Sequence, residues 1–342
     1  MTDHDPIEEN NVPASVVPAS AAPAMPPSLH ELTDMVGRIR AEIGKIVVGQ
    51  HEMIDLLIAA VLCDGHALIE GVPGVAKTLT AKLLARTLAV DYSRIQFTPD
   101  LMPSDILGTT VYNARSSEFE FHEGPIFANL VLIDEVNRAP AKTQAALFEV
   151  MEERQVTVEG NTRHLPPPFL VVATQNPIEQ EGTYRLPEAQ LDRFLFKINV
   201  GYPSVEEETR IIRDHHLRND RNDLAVVQAV ADAATIGRMQ ETVRAVRIDD
   251  ALIRYIADLV ARTRNHSGLY LGASPRASLA VAAGARAFAA LAGRDFVTPD
   301  DIKRVLNPAL RHRVLLTPEK EMEGQEEEDV LREIVESVEV PR

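Results

Sequence analysis

The chain has 342 residues, of which 45% are hydrophobic and 25% charged, as is typical of a globular protein with about two domains. Its one cysteine, Cys63, excludes an internal disulfide, and its longest apolar run, residues 56–63, is too short to span a membrane. The formal net charge of −16 lies mainly at the two ends, with −4 in residues 1–10 and −7 in residues 319–342. This distribution argues against a broad nucleic-acid-binding surface.

The first 28 residues differ in composition from the rest of the chain. They contain six prolines among Ala, Ser and Val without a repeat, so residues 1–28 are expected to form a disordered acidic tail. The first residues also lack the basic and apolar regions of a secretory signal, from which we expect a cytoplasmic protein without membrane insertion. Beyond the tail, periodic apolar residues predict a helix from Leu29 to about Ile43 and another within residues 47–63.

Five short apolar runs predict the strands of one β-sheet. They are HALIEG (66–71), RIQFTP (94–99), NLVLIDE (129–135), FLVVATQN (169–176) and RFLFKINV (193–200). Helical stretches separate these runs, a pattern typical of a parallel sheet covered on both faces. The predicted fold class is therefore α/β, with a five-stranded parallel sheet flanked by helices.

The strand signal ends near residue 204, and a smaller all-helical domain is predicted to follow. Its helices are expected at roughly 205–217, 235–246, 249–265, 275–292 and 299–313. In the acidic C-terminal segment, an apolar stripe predicts a helix that packs on its own domain or, alternatively, binds a partner; the stripe comprises Val330, Leu331, Ile334, Val335 and Val338. The predicted organisation is a tail (1–28), an α/β domain (29–203) and a helical domain (204–342).

A glycine-rich segment between the first strand and the next helix predicts a phosphate-binding loop. It comprises Gly71, Val72, Pro73, Gly74, Val75, Ala76, Lys77 and Thr78, followed by Leu79, and its backbone N–H groups are expected to bind a nucleotide. Lys77 would reach the β- and γ-phosphates, and Thr78 would ligate Mg²⁺. Ala76 stands where the general pattern has glycine, which is acceptable if its φ is negative. A glycine-rich turn without a ligand is the alternative.

Polar residues at the ends of two further strands predict the chemistry of this site. Asp134 and Glu135 follow an apolar strand, at the sheet edge where ligands of open α/β folds bind. Asp134 is expected to hold Mg²⁺, directly or through water, and Glu135 to activate the attacking water as general base. Asn176 could orient that water, or could only form the turn before Pro177.

Two arginines are candidates for stabilising the charge that develops in phosphoryl transfer. Arg193 directly precedes the fifth strand, and Arg276 lies at the start of a C-terminal helix. We expect Arg276 to act on the same subunit's γ-phosphate together with Lys77. Taken singly, each could instead be a surface salt-bridge partner.

Four motifs, GVPGVAKT, LIDEVNRAP, ATQNPIEQEGTYRLPEAQLDRF and SPRAS, resemble those of MoxR-type AAA+ ATPases in order and spacing. The resemblance covers roughly residues 29–320 and implies a P-loop AAA+ core followed by a helical lid domain. In such proteins an alanine often takes the position of Ala76. The resemblance also implies sensor 1 for Asn176, an arginine finger acting on the neighbouring subunit for Arg193, and sensor 2 for Arg276.

Two insertions are also implied, one of them within helix 2 of the core. Residues 109–124 and 154–166 each have β-prone pieces around a polar turn, which predicts hairpins. In related ATPases these loops face the central pore or the partner, although a decorative hairpin is an alternative.

The resemblance further implies ATP and Mg²⁺ as cofactors and a ring oligomer, most often a hexamer. Hydrolysis would change the angle between the α/β domain and the lid. The implied role is chaperone-like remodelling or maturation of protein complexes, with a client protein and, as one candidate partner, a von Willebrand A-type domain protein.

Several other functions share part of this pattern. A magnesium-chelatase-like motor subunit would have nearly the same motifs and differ only in its client. A non-hydrolysing ATP-dependent scaffold would not require Glu135, and a small-molecule kinase would not explain Glu135 together with the two arginines. A nucleic-acid motor is disfavoured because the chain has no basic stripe and no Trp. A GTPase is disfavoured because no Asn-Lys-x-Asp motif occurs.

Overall fold

The computed structural model describes residues 28–176, 184, 186–218 and 224–341, which form an α/β domain followed by helices. In chain order the elements are α1 (Leu29–Gly44), α2 (His51–Leu62), β1 (His66–Gly71), α3 (Lys77–Thr87), β2 (Tyr92–Gln96), α4 (Pro103–Leu107), β3 (Gly108–Asn113), β4 (Glu118–Glu123), β5 (Leu130–Asp134), α5 (Ala141–Glu153), β6 (Gln155–Val158), β7 (Asn161–His164), β8 (Leu170–Gln175), α6 (Glu188–Leu191), β9 (Phe194–Val200), α7 (Val205–Leu217), α8 (Ala233–Arg244), α9 (Asp250–Thr263), β10 (Leu269–Leu271), α10 (Pro275–Leu291), α11 (Pro299–Leu310), β11 (Leu315–Leu316), α12 (Pro318–Met322) and α13 (Glu327–Ser337). Residues 1–27 of the predicted tail, and residues 177–183 and 185 of the third motif, lie outside the described residues.

The central sheet has five parallel strands in the order β2-β5-β8-β1-β9. These are the five predicted strands, and the predicted α/β fold class is confirmed. In the central strands β1 and β5 nearly every residue is buried, which explains their continuous apolar sequences. The carboxyl ends of β1, β5 and β8 lie side by side at one edge of the sheet, and this edge receives the glycine-rich loop and the acidic residues.

The sheet separates two hydrophobic cores because successive side chains of a strand point to opposite faces. In β1, Ala67 and Ile69 join the core beneath α1, α2 and α3, whereas Leu68 joins the core beneath α5. The first core continues without interruption into the C-terminal helices. There Phe196 of β9 approaches Gly284 of α10 so closely that an added Cβ would lie 3.0 Å from its ring. The α/β domain and the helical domain are therefore packed through one shared core.

The C-terminal helix α13 packs on the helices of its own domain, as one of the two predictions proposed. It contacts α9 and α11, with Val330, Leu331 and Ile334 buried. The apolar stripe of this helix is therefore covered by the chain itself.

Both predicted hairpins form as separate two-stranded antiparallel sheets, β3–β4 and β6–β7. They touch each other where the Arg163 guanidinium lies 4.4 Å from the centre of the Phe121 ring. On β3–β4, the rings of Tyr112 and Phe119 pair at 5.3 Å while more than half of each residue's surface is exposed. In the part of the chain that the structure describes, no helix has both the length and the apolar composition needed to cross a membrane.

His66, at the start of β1, is a buried histidine whose protonation state is set by its two partners. Its Nδ1 accepts a hydrogen bond from Val171 N–H at 3.0 Å, so its Nε2, 3.0 Å from Met151 O, must carry the proton. Burial lowers the pKa of His66 to about 4. The side chain is therefore a neutral structural bridge between β1, β8 and α5.

Candidate active site

Residues 71–78 connect the carboxyl end of β1 to the first turn of α3. Lys77 Nζ donates a hydrogen bond to Gly71 O at 2.5 Å, and the chain approaches β9 so closely that a Cβ on Gly71 would lie 2.5 Å from Val200 O. N–H groups at a helix N-terminus point out of the helix and carry partial positive charge, and the first turn of α3 has no acidic residue to offset that charge. A glycine-rich loop, a lysine and a helix N-terminus together form an anion-binding site that suits phosphates.

The conformation of Ala76 differs from the predicted one. Its φ is 63° and its ψ is 19°, in the left-handed region, so the expectation of a negative φ is wrong. The reason is that α3 begins at Lys77, which leaves Ala76 as the last residue of the loop. The Ala76 carbonyl accepts hydrogen bonds from Thr80 N (2.9 Å) and Thr80 Oγ1 (3.0 Å). These bonds fix a backbone conformation that costs alanine about 1–2 kcal/mol.

Asp134 is a buried carboxylate at the carboxyl end of β5, and side chains from three other elements converge on it. Thr78 Oγ1 lies 3.3 Å from its Oδ1, Thr174 Oγ1 of β8 donates to Oδ1 at 3.1 Å, and Arg94 Nε of β2 donates to Oδ2 at 2.6 Å. The structure thus brings together the two predicted ligands of Mg²⁺, Thr78 and Asp134. Arg94 was not predicted, although it lies two residues before Gln96, the register partner of Asp134.

These oxygen donors suit Mg²⁺, whereas a metal ion that needs all its ligands from the protein would find too few here. Mg²⁺ prefers oxygen ligands and usually keeps several waters, with one or two carboxylates and substrate phosphates completing its shell. Among the residues that the structure describes, no group of three or more His, Cys, Asp or Glu could hold a metal ion by itself. Thr78 and Asp134 would therefore hold Mg²⁺ only together with phosphate oxygens and water.

Glu135 has a left-handed backbone, with φ 57° and ψ 53°, which turns its side chain away from the line of β5. Its N–H donates to Thr174 Oγ1 at 3.1 Å. Its carboxylate accepts a hydrogen bond from Gln96 Nε2 at 2.7 Å and lies 3.3 Å from Arg138 Nε. Such backbone strain in a residue other than glycine clusters at functional sites. Asn176 follows the end of the neighbouring strand β8 and is buried.

An apolar cavity of about 170 Å³ lies beside the loop and was not predicted from the sequence. Its walls are Gly74, Val75, Ala76 and Leu79, the segment before α2 (Ile46, Val47, Val48, Gln50), and Pro203, Ile211, His215 and Arg218. A mostly apolar cavity with a few polar groups, adjoining a phosphate site, suits the base of a nucleotide. The sequence signal was Val-Val-Gly-Gln before α2, which indicated only a helix entry.

Arg193 and Arg276 lie at the opposite edge of the sheet from the loop. Arg193 directly precedes β9, whose first residue pairs with His66, the first residue of β1. The length of β1, six residues, places this edge about 17 Å from the loop. The expectation that Arg276 acts on the same subunit's γ-phosphate with Lys77 is therefore wrong. Arg276 instead pairs with Glu152, the carboxylate that also binds Arg193. The Arg276 Nη2 donates to Glu152 Oε1 at 2.5 Å.

The backbone segments that carry the two arginines are also tied to each other. Asp192, next to Arg193, accepts a hydrogen bond from Ser274 Oγ at 3.0 Å through Oδ2, and another from Arg313 Nε at 2.6 Å through Oδ1. The Arg313 side chain is almost fully buried. Because Ser274 precedes α10 and Arg313 follows α11, this network fastens the helical domain to the start of β9.

Comparisons with known proteins agree with this geometry. Residues 66–196 match the model of the ATPase family associated with various cellular activities (AAA), and residues 261–334 match the AAA lid domain. Among similar proteins, the chain is 44% identical to the chaperone MoxR1 of Mycobacterium tuberculosis, over 96% of this chain and 88% of that protein. It is 46% identical to the uncharacterized protein YeaC of Bacillus subtilis, over 91% of this chain and 97% of that protein.

A solved crystal structure supports the same assignment at the level of the fold. The protein, a candidate ATPase from Cytophaga hutchinsonii, superposes with a TM-score of 0.85 and is 42% identical, covering 92% of this chain and 97% of that chain. Together with the AAA and AAA lid matches and the MoxR relative, these findings assign the family. The chain belongs to the MoxR family of AAA+ ATPases.

Proposed function

We propose that this protein hydrolyses ATP to ADP and phosphate, with Mg²⁺, at the contact between two copies of itself in a ring. The observation that carries the proposal is the position of the charged groups in one subunit. Lys77, Asp134 and Glu135 lie at the carboxyl edge of the sheet, whereas Arg193 and Arg276 lie at the amino edge. A head-to-tail contact between identical subunits places one edge against the other, and a rotation that closes gives a ring.

The residues of the carboxyl edge would bind the nucleotide. Backbone N–H groups of the loop and Lys77 Nζ would hold the phosphates, and the apolar cavity beside Leu79 would take the adenine. Thr78 and Asp134 would hold Mg²⁺, which neutralises charge on the phosphate oxygens when bound. For these contacts Lys77 must leave Gly71 O, and the metal would compete with Arg94 for the Asp134 carboxylate.

The hydrolytic water would be activated by Glu135 and oriented by Asn176. Glu135 accepts the proton of the water as it attacks the γ-phosphorus, and ADP leaves with the bond between the β- and γ-phosphates broken. In the structure one oxygen of the Glu135 carboxylate is bound by Gln96, so Gln96 competes with the water for this side chain. Arg193 and Arg276 of the neighbouring subunit would stabilise the charge on the γ-phosphate oxygens.

The mechanical output is proposed to arise between subunits. The shared core and the Asp192, Ser274 and Arg313 network fasten the lid to its own α/β domain, so a change of angle between these two domains is disfavoured. We place the boundary between the α/β domain and the lid domain between residues 203 and 204. A ring of six subunits would then change shape as each contact opens and closes.

The proposed role is chaperone-like remodelling of protein complexes, and the name of the related chaperone MoxR1 supports it. The exposed aromatic pair Tyr112 and Phe119 on β3–β4 would contact the client protein. We also propose a von Willebrand A-type domain protein as the partner and the cytoplasm as the location of the protein.

Phosphate release by single variants tests the proposal. Glu135→Gln should bind a fluorescent ATP analogue as wild type does and release phosphate at least about 100-fold more slowly, because the general base is lost. Lys77→Ala should lose nucleotide binding itself. The matched control is Glu153→Gln, which removes a carboxylate from the exposed end of α5 and should leave both measurements unchanged. Wild-type phosphate release by Glu135→Gln would refute the assignment.

A further inference from the structure

One carboxylate joins the two arginines of the amino edge. Glu152, the second-last residue of α5, accepts hydrogen bonds at Oε2 from Arg193 Nε (2.9 Å) and lies 2.7 Å from Arg193 Nη2 at the same oxygen. Its other oxygen, Oε1, accepts from Arg276 Nη2 at 2.5 Å. Each carboxylate oxygen therefore binds one guanidinium group, and α5, β9 and α10 meet at this side chain.

The charge of Glu152 offsets the repulsion between the two guanidinium groups. Two positively charged guanidinium groups near one point repel each other. Hydrogen bonds from Arg276 and Arg193 lower the pKa of Glu152, so its carboxylate stays ionised beside them. Without this negative charge we expect the two arginine side chains to separate.

We propose that Glu152 is the positioning residue that holds Arg193 and Arg276 as one unit, aimed at the nucleotide of the neighbouring subunit. This inference rests on the proposed function, in which both arginines act across the subunit contact. Arg193 is fixed on a second side, since its Nη1 donates to Ala189 O at 3.3 Å. Glu152 holds the two guanidinium groups themselves, and the Arg276 side chain is 54% exposed and that of Arg193 26%, so both side chains keep an accessible surface.

The backbone supports the same arrangement. The hydrogen bond between Ser274 Oγ and Asp192 (3.0 Å) joins a residue one position before Arg193 to a residue two positions before Arg276. Glu152 then fixes the side chains that leave these joined segments. Because a misplacement of about 1 Å in a catalytic group can cost about 100-fold in rate, this second level of positioning bears directly on turnover.

Two variants of Glu152 test the inference against the control Glu153→Ala, which removes the adjacent carboxylate of α5. We expect Glu152→Ala to lower kcat for ATP hydrolysis by about 10- to 100-fold and to leave the Kd for a fluorescent ATP analogue unchanged. The isosteric Glu152→Gln, which keeps the shape and loses the charge, should lose turnover in the same direction. Thermal unfolding of each variant is measured alongside, and Glu153→Ala should match wild type in kcat, Kd and Tm.

Mixing of variants identifies the side of the contact on which Glu152 acts. Glu152→Ala mixed with Glu135→Gln should regain hydrolysis, because the Glu135→Gln subunits supply correctly held arginines to intact Glu135 sites. Glu152→Ala mixed with Arg193→Ala should regain none, because both variants are defective on the arginine side. A merely structural defect would not distinguish between these two mixtures.

Three results would overturn the inference. They are wild-type or faster turnover by Glu152→Ala and Glu152→Gln, a weakened Kd for ATP in both, and recovery of hydrolysis when Glu152→Ala is mixed with Arg193→Ala. The mixture of Arg193→Ala with Glu135→Gln separates this inference from the proposed function. Recovery there with any of the three results refutes the role of Glu152 alone, whereas no recovery there refutes the subunit contact itself.

Discussion

Replacing Arg94 with methionine is expected to increase the apparent affinity of the protein for Mg²⁺ in the presence of ATP. Arg94 Nε donates to Asp134 Oδ2 at 2.6 Å, and Asp134 is the one carboxylate proposed to hold the metal. Metal binding therefore competes with an ion pair that already satisfies one of the two oxygens of this carboxylate. Methionine keeps an unbranched stem like the methylene part of arginine, and it removes both the charge and the hydrogen-bond donors.

The size of the effect follows from the exposure of the pair. A hydrogen bond to a charged group contributes about 1.5–3 kcal/mol, but 51% of the Arg94 side chain is exposed and solvent screens the charge. We therefore use the upper end of the range for surface ion pairs, about 1 kcal/mol. This value corresponds to an increase in apparent Mg²⁺ affinity of about fivefold.

The assay is a Mg²⁺ titration of the binding of a fluorescent ATP analogue, which does not depend on turnover. Arg254→Met is the matched control, because Arg254 pairs with Asp258 on the exposed face of α9 and its loss changes the net charge equally. Unchanged or weaker Mg²⁺ dependence in Arg94→Met would show that Arg94 does not compete with the metal at Asp134.

Two further predictions concern the frame around the site. In the folded protein the pKa of His66 is about 4, so the side chain is neutral, whereas in the unfolded chain it gains a proton near pH 6.5. The stability of the folded protein is therefore lost as the pH falls from about 6.5 towards 4. Between pH 7 and pH 5 the free energy of unfolding, measured with urea, should fall about 2 kcal/mol less in His66→Gln than in wild type; an equal fall in both proteins would contradict the assignment. Gly71→Ala should lower the stability by about 1–3 kcal/mol and weaken ATP binding, because the new Cβ would lie 2.5 Å from Val200 O. Gly37→Ala, in α1 with open space around it, should not destabilise the protein, and equal thermal unfolding of the two variants would contradict the clash.

The strands and the loop could be predicted because each combines a buried apolar run with a change of chemistry at its end. HALIEG and NLVLIDE have continuous apolar residues, since β1 and β5 are covered on both faces of the sheet. The predicted start of β2 was two residues late, because Tyr92 and Ser93 interrupt the apolar pattern at the edge of the sheet. Local patterns thus indicated which residues belong to the site.

Distances across the sheet could not be predicted in the same way. Arg276 was assigned to the wrong edge relative to Lys77, because its position depends on β9 pairing with β1 and on α10 packing at the start of these strands. The apolar cavity was missed because its walls come from residues 46–50, 74–79 and 203–218. The φ of Ala76 depended on where α3 begins, which a helical pattern does not fix to one residue.

The most direct test of the central claim is the ATPase activity of mixtures of Arg193→Ala and Glu135→Gln, each of which should be nearly inactive alone. In a mixed ring, an Arg193→Ala subunit keeps its own Glu135 and receives Arg193 from a Glu135→Gln neighbour. Activity should therefore peak at equal proportions, at about a quarter of the wild-type value per subunit for random assembly. Mixtures that stay inactive at every ratio, from subunits shown to assemble together, would contradict a site shared between two subunits.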